Sequence, residues 1–494
     1  MENLDALFIR APQLIWEPAS RAILPEGILL TTVLEKNGIH TKYHNVDFLG
    51  KSIPTLTLKL EDRKKLLKEK EKFFKLRHPK WLKLKKILKK YRPKVVIIYP
   101  HKPYNYDPSI LAAKLIKKVL PDTKTIIWNV LGIYDYFIKN NYVDFVIKGN
   151  YGDTEYITLN LIKSILNGNL NPKTLPNIVF KKNGKIIHTK TKIVLENLNE
   201  FPIPDRDLVI DKDLYPRYSF GWIEGARGCK YKCNYCREST KFFPVRFRDP
   251  KKIVKEIMIS YTKYHTREFY FYMSSFTSSH KWLKEICRLI QEKNLNIIFG
   301  CYTTASEITD SIIKQMKAAG CLKISFGIES GSERILKLMN RSVGINDLLK
   351  ATKIVKRNGI FLLTTTIIGY PYEKKEDIDL SVDLTLKIKP DMFAMPIFVP
   401  MPELSLTKKL EKEGRIKDKK YYEYFSSEVK VKNENIDPVL LKKLYNKYAK
   451  LSYRMDMVLL KKCLFKPKYF RAKIVEYFFN CLLKLKPFFN LIST

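Results

Sequence analysis

The chain has 494 residues, 45% of them apolar, enough for two or three domains with their own cores and too many for wholesale disorder. Lys and Arg number 91 against 50 Asp and Glu, a net charge of +41 that either attracts nucleic acid or an anionic membrane surface, or simply coats solvated lysine-rich faces. Eight cysteines are too sparse for a secreted disulfide scaffold, no run approaches the roughly 18–20 apolar residues of a membrane span, and no secretory signal follows Met1, so a cytoplasmic chain, soluble or peripheral, is expected.

In chain order, residues 6–9 (ALFI) form an apolar run of strand length, and residues 25–37 read as a helix closed by Gly38. Residues 41–47, 95–99, 125–128 and 145–147 continue a series of short strands separated by helical stretches, the pattern of a parallel α/β sheet. Asp107-Pro108 is expected to open one of those helices, Asp as cap and Pro at the first helical position. Residues 59–94 interrupt the series with a Lys-rich helical insertion whose apolar positions are Phe73, Phe74, Leu76, Trp81, Leu84 and Leu88. Its basic outer face suits either solvent or an anionic partner. A small hairpin follows at 178–180 and 185–188 about an Asn183-Gly184 turn, and then a linker.

From Trp222 the alternation resumes, with strands expected at 268–273, 297–303, 323–327, 362–368 and 392–398. Such a second α/β domain is barrel-like and places its chemistry at the carboxyl ends of its strands. From about residue 405 the sequence turns helical and basic.

No cysteine occurs before Cys229, and then Cys229, Cys233 and Cys236 fall within eight positions in the segment GARGCKYKCNYCRES. Thiolates so spaced in a loop can wrap one face of an iron–sulfur cluster, and three of them leave one iron of a four-iron cluster open for chemistry. A structural zinc knuckle would need a second ligand pair nearby, which the sequence lacks.

Cys-x3-Cys-x2-Cys with Tyr235 before the last Cys resembles the cluster loop of the radical SAM superfamily. The resemblance implies a [4Fe–4S] cluster on Cys229, Cys233 and Cys236, S-adenosylmethionine (SAM) on its open iron, and a reductant protein of the ferredoxin or flavodoxin type. Residues 320–341 resemble the strand in which Glu329 contacts SAM; as plain sequence, Glu329 would also serve as an acid at a helix N-terminus. Residues 367–371 (IIGYP) resemble the turn near the adenine, which gives Gly369 and Pro371 a cofactor-binding role. Two departures stand out: Met273-Ser274-Ser275-Phe276-Thr277 where relatives carry an acidic pair, and Thr304-Ala305-Ser306 where an Arg-Ala-Asp run is frequent.

The segment from Leu24 to Leu30, Gly38, Asp47, residues 93–98, 142–149 and 201–206 resemble the cobalamin-binding domain that precedes many radical SAM barrels. No Asp-x-His-x-x-Gly segment supplies a cobalt ligand, and Asn129-Val130-Leu131-Gly132 and Gly149-Asn150-Tyr151-Gly152-Asp153 depart from the glycine-rich pattern of relatives. Methylthiotransferases are set aside, because they carry further cluster cysteines in this domain. Cys287, Cys301, Cys321, Cys463 and Cys481 form no second tight motif and read as buried thiols.

Residues 454–494 mix Lys and Arg with large apolar side chains, which suits a helix lying in a membrane interface on the inner face, or one capping the barrel. No nucleic-acid module is recognisable. The expected architecture is α/β: a Rossmann-like cobalamin-binding domain over 1–200, a partial (β/α) radical SAM barrel over 215–405, and a basic helical region over 406–494. The expected activity is formation of a 5′-deoxyadenosyl radical, with cobalamin-assisted methylation or C–C bond formation on an unactivated carbon, on a membrane lipid among other substrates. An RNA-modifying enzyme and a non-catalytic Fe–S protein are the alternatives.

Overall fold

Five short runs bounded by polar turns, four of them largely apolar and one (residues 41–45, TKYHN) mostly polar, set the first half of the molecule. In the computed structural model, which describes residues 2–13, 22–49, 63–240, 244–418, 420 and 428–449, they are β1 (Ala6–Arg10), β2 (Thr41–Asn45), β3 (Val95–Tyr99), β4 (Lys124–Val130) and β5 (Phe145–Lys148). The chain divides into two compact units, the first running to Ser219 and the second beginning at Phe220. In the first, helices α1 (Pro25–Lys36), α2 (Arg63–Phe74), α3 (Pro79–Tyr91), α4 (Tyr106–Val119), α5 (Tyr134–Ile138) and α6 (Glu155–Leu166) connect the strands, and β6 (Ile178–Lys182) and β7 (Lys185–His188) follow.

The sheet order is β2-β1-β3-β4-β5-β6-β7, parallel through β5 and antiparallel beyond. Every residue of β1 and β3 is buried, as a parallel strand covered on both faces must be. Strand order reverses between β1 and β3, the position where open sheets of this kind take ligands. There Asn105 Nδ2 donates to the carbonyls of Ala11 (3.3 Å) and Pro12 (3.0 Å), tying the two loops together.

One local expectation needs correction, and two are refined. Helix α4 begins at Tyr106 behind Asn105, so Asp107 sits in its first turn and receives the Tyr136 hydroxyl instead of capping. The expected hairpin forms and joins the sheet, because Phe145 pairs with Phe180 and apolar Ile178, Val179 and Phe180 extend it. The Lys-rich insertion is two helices, with a break at Leu76 (φ 57°) and His78 capping α3. Phe73, Trp81, Leu84 and Leu88 are fully buried, and the Trp81 indole donates to the Phe73 carbonyl at 2.7 Å.

The second unit begins with β8 (Trp222–Glu224) and a two-residue ladder of β9 (Ala226–Arg227) with β10 (Arg246–Phe247). Then α7 (Pro250–Lys263), β11 (Glu268–Tyr272), α8 (His280–Glu292), β12 (Ile298–Tyr302), α9 (Asp310–Ala318), β13 (Cys321–Glu329), α10 (Glu333–Leu338), α11 (Ile345–Arg357), β14 (Phe361–Thr366), α12 (Lys375–Ile388), β15 (Met392–Ala394) and α13 (Ser405–Lys412) alternate as expected. The six strands are all parallel, ordered β15-β14-β13-β12-β11-β8. Residues of α7, α8, α9, α11 and α12 join one core with Phe269, Phe271, Phe299, Cys301, Ile324, Phe326 and Leu362. One face of the sheet is therefore clad in helix, as in a partial (β/α) barrel, and side chains alternating to the other face include Tyr270, Tyr272 and Tyr302. Trp222 packs against Tyr270 (4.9 Å between rings) and Tyr272 (5.8 Å), and Tyr270 against Tyr302 (5.8 Å).

Residues 438–449 are helical, consistent with a helical, basic carboxyl-terminal region; residues 454–494 lie outside the described residues. Among the described residues, no helix is long and apolar enough to cross a membrane.

Candidate functional site

The three clustered cysteines leave the second unit's sheet at its carboxyl edge, in the loop that follows β8 and β9. Cys233 is buried, while Cys229 and Cys236 are partly exposed. The Cys236 N–H donates to the Cys233 carbonyl (3.1 Å) and the Ser239 hydroxyl to the Cys236 carbonyl (2.7 Å), so the loop is a closed series of turns. Burial pushes the Cys236 thiol up to about 12 and raises Cys229 as well, so both sulfurs await a metal to become thiolates.

The loop rests on the end of α10. Asn234 N–H donates to the Met339 carbonyl (3.1 Å), Asn234 Nδ2 to the Leu338 carbonyl (2.7 Å), and Asn340 Nδ2 to the Lys232 carbonyl (2.8 Å). Arg341, just beyond, brings Nη1 to 3.9 Å from Cys233 Sγ while Nη2 donates to the Gly327 carbonyl at 3.0 Å. Its Nε is buried with no partner among the described residues. A cation beside the sulfurs offsets thiolate charge, and an unused donor there suits an anionic group of a bound ligand.

Glu329 ends β13 in a left-handed conformation (φ 63°) across a break in register with β14. Its side chain folds back over Gly327, where a Cβ would lie 1.8 Å from Glu329 Oε1. That is the physical content of the Gly-Ile-Glu spacing: only glycine leaves room for the returning carboxylate. Burial raises the Glu329 carboxyl, and Arg341 and the Tyr235 hydroxyl draw it back in part. The acid of α10's first turn is Glu333 behind the capping Ser332, so Glu329 is not that helix's N-terminal acid.

Tyr235 packs against the apolar cluster that includes Ile335, Met339 and Tyr370. Gly369 and Pro371 lie in the turn after β14, joined to the cysteine loop through Tyr370, whose hydroxyl donates to Asn234 Oδ1 (3.2 Å). Gly369 is left-handed (φ 73°) and crowded by Leu441, whose Cδ2 stands 2.6 Å from the place of a Cβ. Its N–H donates to Glu373 Oε2 (2.6 Å), and the Pro371 carbonyl accepts from Arg415 Nη2 (2.6 Å). The structure thus brings Cys229, Cys233, Cys236, Tyr235 and Glu329 together, with Gly369 and Pro371 one turn away.

Sequence reasoning passed over Arg341, Glu307, Lys230 and Tyr231. Arg341 closes the very segment that drew notice to Glu329, but Arg334 lies there too and the sequence does not say which guanidinium reaches the sulfurs. Glu307 gave none, because it reaches the loop from the turn after β12.

The donor set fits the implied cluster: three thiols on one loop and a nearby cation. Among the described residues no three His, Cys, Asp or Glu side chains converge on a point suited to a single metal ion. Cluster ligands meet separate irons and require no such convergence.

Residues 223–385 match the radical SAM superfamily. An uncharacterized methyltransferase of Pyrococcus horikoshii is 28% identical over 262 residues, 53% of this chain and 56% of that protein. The anaerobic magnesium-protoporphyrin IX monomethyl ester cyclase of Rubrivivax gelatinosus is 24% identical over 322 residues, 63% of this chain and 57% of that protein. The chain therefore spans little more than half the length of these curated relatives. Among solved structures, the radical SAM methyltransferase TsrM from Kitasatospora setae, with tryptophan and aza-SAM bound, superposes with a TM-score of 0.64 at 15% identity, covering 83% of this chain and 76% of that one. The cobalamin-dependent SAM radical enzyme OxsB, with aqua-cobalamin and SAM, gives 0.57 at 15% identity over 92% and 62%. The helix-clad parallel sheet, the three-cysteine loop at its carboxyl edge and the match over 223–385 identify that stretch as a radical SAM domain, and such a domain implies a [4Fe–4S] cluster and SAM.

Proposed function

We propose that Cys229, Cys233 and Cys236 hold the cluster, that Tyr235, Glu329, Gly369 and Pro371 line the SAM site, and that the first unit binds cobalamin. The observation that carries this reading is the meeting of Cys233, Arg341, Tyr235 and Glu329 at one carboxyl edge. When bound, these cofactors supply a 5′-deoxyadenosyl radical for hydrogen abstraction and a methyl carrier or C–C bond-forming centre. The chain's own part is to orient and exclude. Arg341 and Glu329 offer one cation and one carboxylate for the charged ends of SAM, and the Tyr235 hydroxyl holds the carboxylate in its folded-back position. Radical SAM chemistry also calls for a one-electron reductant, here a protein of ferredoxin or flavodoxin type.

Cobalamin binding is supported by the switch point between β1 and β3, where Gln13 Nε2 and Asp47 Oδ2 are buried without partners among the described residues. Unused amide and carboxylate groups suit the amide-rich rim of a corrin. Asn129 (φ 56°) supports it too, since it takes the left-handed conformation that a glycine pair provides elsewhere. The domain limits of 1–200, 215–405 and 406–494 belong to the same reading.

The substrate is apolar: Trp222, Tyr270, Tyr272 and Tyr302 offer an aromatic wall on the face free of the helical core. A membrane lipid is the source we favour. Gel filtration after mixing with hydroxocobalamin should show about one equivalent co-eluting, and none would remove the cobalamin assignment. Flotation with anionic liposomes should carry the protein upward in low salt; no binding, with or without residues 454–494, would sink the lipid assignment.

A further inference from the structure

The first sequence departure, hydroxyls at 274–277 in place of an acidic pair, meets in space the carboxylate that directly follows the second, Glu307 after Thr304-Ala305-Ser306. Glu307, in the turn after β12, is buried, and both its oxygens are filled. Oε1 accepts from Lys230 Nζ (2.8 Å) and from the Tyr231 hydroxyl (2.9 Å). Oε2 accepts from Ser275 Oγ (2.5 Å) and Thr277 Oγ1 (2.8 Å), and Thr277 also hydrogen-bonds Thr303. His280 Nε2 lies 2.8 Å from the Glu307 carbonyl and fixes the turn itself. Burial works to raise this carboxyl, but the hydrogen bonds from Lys230, Ser275, Thr277 and Tyr231 outweigh it and hold it below the ordinary value.

Lys230 and Tyr231 lie between Cys229 and Cys233, so one oxygen of Glu307 grips the cysteine loop while the other grips the barrel edge. The opposite side of the loop is held by the end of α10 through Asn234 and Asn340. We propose that Glu307 is a positioning residue that latches the cluster loop to the rim after β11 and β12 through Lys230 and Tyr231. Both its oxygens are taken by protein groups, so it acts through the loop. The carboxylate missing at 274–275 is thus supplied from a neighbouring turn and turned to holding the loop. The inference rests on reading Cys229, Cys233 and Cys236 as the cluster ligands.

The latch is tested first without any cluster. Hydrogen–deuterium exchange of the metal-free full-length protein is compared for wild type, Glu307→Gln, Lys230→Met and the double variant. Peptides covering residues 229–236 should exchange about tenfold faster in either single variant, with those of β11 unchanged. The double variant should be no worse than the more severe single one. Exchange within about twofold of wild type in both single variants overturns the latch. Lys230 is half exposed, so Lys230→Met keeps the measurement decisive if Glu307→Gln does not fold.

After reconstitution, both single variants should slow 5′-deoxyadenosine formation about tenfold, as a misplaced reacting group would. If the pair acted only through charge, removing an anion and removing a cation beside the cluster would move its potential, and the rate, in opposite directions. Opposite changes would contradict positioning. A wild-type protein that binds no cluster would defeat the proposed function, while the exchange result would still stand or fall by itself.

Discussion

Glu373 shows how one buried side chain shapes the pH response of the whole chain. Burial pushes its carboxyl up to about 8; Oε2 takes the Gly369 N–H and Oε1 has no partner among the described residues. A folded-state value raised above the ordinary 4.5 means that the native state holds a proton the unfolded chain releases. Its contribution is complete below about pH 4.5 and is lost as pH rises through about 8, at up to about 1.4 kcal/mol per pH unit. His44 acts in the opposite sense. It is buried with neither nitrogen partnered among the described residues, and burial lowers it to about 3, so stability falls as pH drops from about 6.5 toward 3. Thermal midpoints between pH 5 and 8.5 should fall with rising pH more steeply in wild type than in Glu373→Gln. Equal slopes would show that Glu373 is ionised in the fold.

At the scale of elements, the Lys-rich insertion depends on a small apolar spine, not on its charges. Trp81 is fully buried on α3, its ring 5.1 Å from Phe73 and its N–H on the Phe73 carbonyl. Trp81→Ala leaves a cavity and an unanswered carbonyl, and should cost about 3–5 kcal/mol in urea titration. A loss below about 1 kcal/mol would mean the two helices are an ornament on the sheet. This spine was legible beforehand, since Phe73, Trp81, Leu84 and Leu88 repeat at helical spacing. So were the strands, because parallel strands buried on both faces read as unbroken apolar runs. The start of α4 was misread, because it depends on a tight turn at residues 103–105. The hairpin itself was legible, but its place in the sheet depends on Phe145 meeting Phe180, which no local pattern carries.

For the molecule as a whole, the cysteine loop and the Glu329 strand were visible because their chemistry is carried by residues close in sequence. Glu307 and Arg341 were not, because they join the loop only when β12 and the end of α10 come beside it. Cys287, Cys301 and Cys321 likewise share one core despite their distance in sequence, and they are buried there as expected. The account as a whole stands on the three clustered thiols. The measurement that tests it most directly is anaerobic iron and sulfide analysis with EPR, followed by assay of 5′-deoxyadenosine after adding SAM and dithionite, in wild type and Cys233→Ala. Wild type should hold about four irons and four sulfides per chain, show a reducible cluster signal, and form 5′-deoxyadenosine that disappears in Cys233→Ala. Zinc in place of iron, or 5′-deoxyadenosine formation that survives Cys233→Ala, would contradict this reading.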